Sequence, residues 1–144
     1  ADARLMDRIQ VFHQYAVTSV PAFVQRACVR ALETDTGDVV EIFRKRRDYV
    51  SQRLVDRGLD VEKPEGAFYV MMNISGLFGK KLNGEAIVDS MSFTRLLLED
   101  SKVAVVPGIG FGADSFVRLS YATNMANIEK GLSRIADFVS RLTD

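Results

Sequence analysis

Val105-Val106-Pro107-Gly108-Ile109-Gly110-Phe111-Gly112 is followed two residues later by Ser115-Phe116-Val117-Arg118-Leu119-Ser120-Tyr121-Ala122. An apolar run stops at a proline, turns through three glycines, and resumes as a second apolar run with one arginine inside it. A guanidinium within an otherwise apolar strand is uncommon. It stays charged at any working pH and offers a planar fork of donors matched to a carboxylate. The pattern suits an arginine presented to a small carboxylate ligand. It equally suits an edge-strand arginine paired with a neighbouring Asp or Glu, because ion pairs also hold partly buried arginines.

Elements can be placed outward from this stretch. Leu5, Ile9 and Phe12 recur at helical spacing and predict a helix over 2–14. Ser19 is placed to cap a second helix, with Pro21 in its first turn and Val20, Val24, Ala27 and Ala31 on one face. Val39, Phe43, Val50 and Leu54 stripe a long third helix over 38–57, ended by Gly58. Residues 59–61 form a short strand, and 67–73, rich in aromatic and aliphatic side chains, a central one. Residues 75–89 are a connection with four turn-favouring residues. Ser90 is placed to cap a helix whose Phe93, Leu96 and Leu97 face inward. Residues 103–106 and 116–121 are strands on either side of the glycine turn. Asn124 or Thr123 caps a last helix striped by Ile128, Leu132, Ile135, Val139 and Leu142. The sum is an α+β, two-layer arrangement in which helices cover one face of a short mixed sheet.

The composition narrows the function. A chain of 144 residues with 47% hydrophobic content suits one ordinary domain with a real core. Nineteen basic and nineteen acidic side chains cancel, which argues against a nucleic-acid binder. No apolar run approaches the roughly 20 residues needed to cross a membrane. The one cysteine, Cys28, allows no internal disulfide and fits a reducing, cytoplasmic setting. Its apolar helical neighbours suggest a small core residue. His13, the only histidine, reads as a surface or interface residue. One histidine and one cysteine make no zinc site. Arg44-Lys45-Arg46-Arg47 reads as a solvated helix face, flanked by Glu41 and Asp48. Residues 76–84 lack the order of a phosphate-binding loop.

Four segments carry a family resemblance. PEGAFYVMMNIS (64–75), FTRLLLEDSKVAVVPGIGFG (93–112) and FVRLSYATNMANIEKGLSRI (116–135) resemble the small, C-terminal domain of fold-type I, PLP-dependent aminotransferases, nearest to the aspartate/aromatic group. VTSVPAFVQRACVRALE (17–33) resembles the TSNPTSFVQxAAxxAL segment of the same family. The resemblance implies that Arg118 binds the α-carboxylate of an amino-acid or 2-oxo-acid substrate and that Phe68 lies beside that substrate. A core role for Phe68 is the alternative. It places Ser19 near a dimer interface and the neighbouring subunit's cofactor phosphate. Val20 stands where the family often has Asn, so a helix cap is the plainer role for Ser19.

The family's cofactor lysine lies in an SKxxxxxGxRxGY pattern that does not occur in these residues, and Ser101-Lys102 belongs to the later glycine-turn motif. The expectation is therefore a C-terminal domain without its catalytic lysine or the PLP-binding domain. Residues 1–33 would be connecting and interface helices and 34–144 the α+β core. Alone it would be inactive and hold no PLP; the parent would be a cytoplasmic, homodimeric transaminase. Two other readings share the fold: a non-catalytic carboxylate-binding or dimerisation module, and a PLP-dependent lyase or decarboxylase.

Overall fold

The computed structural model describes residues 2–144, which divide into two compact units, one ending at Gly37 and one spanning Asp38–Asp144. The first unit carries α1 (Ala3–Val17) and α2 (Ala22–Leu32). Asp2 caps α1 by accepting from the Arg4 N–H. α2 starts at Pro21 without a side-chain cap, so Ser19 does not fill that role. No residue of either helix is buried, Cys28 included, which corrects the expectation of a core cysteine. Helical spacing shows which side chains share a face; it does not supply something to cover that face.

The second unit is the α+β layer pair. α3 (Gly37–Val55) leads to β1 (Asp60–Val61) and β2 (Tyr69–Asn73). A hairpin of β3 (Lys81–Leu82) and β4 (Glu85–Ala86) follows, then α4 (Ser90–Ser101), β5 (Val106–Pro107), β6 (Phe116–Ser120) and α5 (Met125–Ser140). The main sheet has the order β1-β2-β6-β5, and every pairing in it is antiparallel. The mixed sheet expected from the sequence is not what forms. β2 and β5 run the same way across α4, but β6 comes back between them and pairs antiparallel with both, a split β-α-β arrangement.

Alternation along β2 and β6 decides the core. Val70, Met72, Val117 and Leu119 point to one face and are buried. Val50 and Leu54 of α3, Phe93 and Leu97 of α4, and Ile128, Ile135 and Phe138 of α5 join them in one cluster. Phe93 and Phe138 meet edge to face with centroids 5.6 Å apart, joining α4 to α5. Burying each such ring contributes about 1.5–3 kcal/mol. The opposite parity, Tyr69 and Met71 on β2 and Arg118 on β6, faces away from the helices.

Three local expectations shift. α4 is capped by Asp89, whose carboxylate accepts from the Ser92 N–H at 2.7 Å while the Ser92 hydroxyl oxygen accepts from the Asp89 N–H at 3.0 Å. Ser90, one residue on, is buried and bonds elsewhere. Residues 75–89 contain the β3–β4 hairpin, turned at Asn83-Gly84, both with positive φ. β5 is an edge strand of two residues, so only the end of the 103–106 run pairs.

Candidate functional site

β6 has neighbours on both sides, Met71 of β2 opposite Arg118 on one and Val106 of β5 on the other. Arg118 is therefore on a central strand, not an edge. Its side chain is half-buried on the face away from the helices. The guanidinium carbon lies 4.2 Å from the centroid of Tyr69 and 4.4 Å from that of Phe111. Tyr69 stands opposite Ser120, diagonal to Arg118, within reach for an aromatic ring. Each ring contact is worth about 0.5–2 kcal/mol.

What is missing around Arg118 matters as much. Among the described residues no Asp or Glu forms an ion pair with it. Its Nε is buried with no hydrogen-bond partner. Most of the other arginines with close contacts answer to acids: Arg95 to Glu85 and Glu99, Arg141 to Asp100 and Asp137, Arg47 to Asp48. A half-buried cation without a counter-charge is costly, and an anionic ligand would remove that cost.

Phe68 sits at the entry to β2 and is 40% exposed, so it is not a core phenylalanine. Its ring lies 4.4 Å from that of Tyr69, which in turn stacks on Arg118. Phe68 and Arg118 are thus joined through Tyr69. Tyr121 fixes the turn before them: its hydroxyl donates to the Ala67 carbonyl at 3.0 Å, and its backbone N–H to the Phe68 carbonyl at 3.0 Å. Burial raises the Tyr121 phenol above its ordinary range, so it stays protonated and keeps donating. Beside Phe68 opens a cavity of about 370 Å³ bordered by Phe43, Arg44, Arg47, Glu65 and Tyr121.

The turn Gly108–Phe111 carries the second ring. A Cβ on Gly108 would meet the Ala113 carbonyl oxygen at 2.0 Å and that of Phe116 at 2.3 Å. The buried Ser90 hydroxyl donates to Asp114 Oδ1 at 2.7 Å and accepts from the Ile109 N–H at 3.2 Å. The turn is pinned from both ends. Tyr69 and Phe111 are the residues that reading by motif passed over. The strand parity of Tyr69, Met71 and Arg118 held the signal for one of them, and the place of Phe111 in the quoted glycine turn held it for the other.

The family model for class I and II aminotransferases matches residues 1–135. The chain belongs to that family. Relatives include a probable N-acetyl-LL-diaminopimelate aminotransferase of Bacillus subtilis, 40% identical over 132 residues, covering 88% of this chain and 31% of the relative. The aspartate aminotransferase of Rhizobium meliloti is 40% identical over 137 residues, covering 90% of this chain and 33% of its own length. A solved aspartate aminotransferase from Rhizobium meliloti superposes with a TM-score of 0.86 at 38% identity, over 97% of this chain and 36% of that one. An aromatic aminotransferase from Pyrococcus horikoshii gives 0.78 at 31% identity, over 97% and 37%. The chain thus spans about a third of the length of the curated aminotransferases it matches. No described helix is long and apolar enough to cross a membrane.

Proposed function

We propose that this chain is the carboxylate-holding part of a PLP-dependent aminotransferase that moves an amino group between an amino acid and a 2-oxo acid. The observation that carries the proposal is the state of Arg118: central in the sheet, facing away from the core, free of any acidic partner among the described residues. Two parallel charge-assisted hydrogen bonds from such a fork would fix both the position and the rotation of a substrate's α-carboxylate. Orientation of this kind is worth several kcal/mol of barrier, about 7–11 in ideal cases. Phe68, exposed and held by the Tyr121 bonds, would form an apolar wall beside the substrate.

The cofactor side of the site is not built from these residues. Lys63 and Lys80 pair with Asp48 and Asp144, Lys102 donates to the Glu99 carbonyl, and Lys45, Lys81 and Lys130 are exposed. We assign the lysine and phosphate cup that hold PLP to the remaining two-thirds of a polypeptide the length of the relatives. Bound there, PLP would supply an electron sink for charge developing at the substrate's Cα. Residues 1–144 alone are then expected to show no transaminase activity. The exposed Phe12, Tyr15, Phe23 and Leu32 of α1 and α2 favour cover by that polypeptide and a second copy, a homodimer checked by sedimentation.

The test is Arg118→Lys in the full-length enzyme. Lysine keeps the charge and loses the fork, so KM for the amino acid rises and kcat falls. Kinetics equal to the parent's would remove Arg118 from the site. A solved aspartate aminotransferase from Thermus thermophilus was obtained with maleate, which supplies a non-reacting dicarboxylate as a binding probe.

A further inference from the structure

We infer that Tyr69 and Phe111 are positioning residues that confine the Arg118 guanidinium to one plane, so that an anion can approach it only edge-on. The inference rests on the carboxylate-holding role given to Arg118. The two rings lie within 4.2 and 4.4 Å of the guanidinium carbon, closer than the other arginine–ring approaches, Arg46 to Phe43 at 5.3 Å and Arg53 to Tyr49 at 6.0 Å. Among the described residues no acid pairs with Arg118, so the rings take over the task that carboxylates perform for Arg95 and Arg141.

That substitution has a chemical purpose. An acidic partner would fix the guanidinium but occupy its donors. Aromatic rings attract the cation through their faces and leave the in-plane N–H groups free. A flexible arginine must be ordered when a ligand binds, and that ordering weakens affinity; one already ordered in the free protein avoids the loss. Each ring is itself fixed. Tyr69 is paired with Ser120 of β6, and its ring is buttressed by Phe68 at 4.4 Å. Phe111 rides on a turn anchored by the buried Ser90, which accepts from the Ile109 N–H, and by the close approach of Gly108 to the Ala113 and Phe116 carbonyls. The Ser90–Asp114 pair, 24 residues apart in sequence, therefore reaches the site through Phe111.

The experiment measures maleate affinity calorimetrically in the full-length, PLP-loaded enzyme. Tyr69→Leu and Phe111→Leu keep apolar bulk and remove the ring face. Each is expected to weaken maleate binding about threefold to thirtyfold. Tyr69→Phe and Phe111→Tyr restore the face and bind within about twofold of the parent, and PLP occupancy stays at the parental level in all four. A loss of mere packing would not be rescued in this pattern. Phe111 is half exposed on a surface turn, so its leucine variant folds even if the Tyr69 variant does not. Arg118→Ala is the reference. If it abolishes maleate binding while Phe111→Leu binds like the parent, the positioning role is wrong and the carboxylate role stands. If Arg118→Ala binds maleate like the parent, the carboxylate role fails and the positioning role with it.

Discussion

Replacing the glycines of the Gly108–Phe111 turn and its cap Gly112 one at a time separates steric demand from backbone demand within five residues. At Gly108 an added Cβ lies 2.0 Å and 2.3 Å from two backbone oxygens, against an ordinary contact of about 3.4 Å or more. Both obstacles are main chain, so no rotamer change relieves them. The turn has to move by about an ångström, straining or breaking the 3.0 Å bond from the Ala113 N–H to the Gly108 carbonyl. Overpacking costs about 1–3 kcal/mol and a lost backbone bond about 1 more, so Gly108→Ala destabilises by about 2–4 kcal/mol. At Gly112 the surroundings are open but φ is +72°, and alanine there costs about 1–2 kcal/mol. At Gly110 the space is open and no positive φ is required, so alanine is neutral or stabilises by up to about 1 kcal/mol. Urea unfolding of the three variants, read as shifts in midpoint at constant slope, gives the order directly. A Gly108→Ala variant within about 0.5 kcal/mol of the parent would refute the close approach and the pinned turn that rests on it.

Other consequences can be measured the same way. Phe138→Ala empties the ring that meets Phe93 and should cost about 3–5 kcal/mol by urea unfolding; a cost below about 1 would mean that α4 and α5 do not share that contact. Lys102 ends α4 in the left-handed region at φ 55°, so Lys102→Gly should stabilise by about 0.5–1 kcal/mol, and an unchanged or lower melting temperature would contradict that cap. Asp100 is held at a pKa of about 2, below the ordinary 3.8, chiefly by its hydrogen bonds from Arg141 and then from Ser101. A depressed carboxyl stabilises the fold above its unfolded pKa and loses that contribution as pH falls through the folded value. Melting temperature should therefore fall less steeply between pH 4 and pH 2 in Asp100→Asn than in the parent, and equal slopes would remove the Arg141 pair from the acid response.

The regular elements were legible where one physical rule dominated. The stripe of Ile128, Leu132 and Ile135 placed α5 because a helix on a sheet buries one side, and the proline–glycine turn placed β6 and its arginine. Rules that compete locally were harder. Asp89 and Ser90 are both good caps, and Asp89 prevails because Ser90 is drawn inward to Asp114 and the Ile109 N–H. The antiparallel sheet depended on β6 returning between β2 and β5, a fact of topology that no local pattern carries. Arg118 stood out as a lone charge in an apolar strand. Its two ring partners, 49 and 7 residues away in sequence, became visible only when the strand register and the turn were in place. The exposure of Cys28 has a simpler cause: helical spacing sets which side chains share a face, not whether that face is covered, and no residue of α2 is buried.

A crystal structure of the full-length protein soaked with maleate tests the central claim most directly. The account predicts one maleate carboxylate lying in the plane of the Arg118 guanidinium, with its two oxygens about 2.7–2.9 Å from guanidinium nitrogens and the Tyr69 and Phe111 rings still against the guanidinium. Maleate bound in the active site with both carboxylates held by other residues, and Arg118 paired to an acid from elsewhere in the polypeptide, would contradict it.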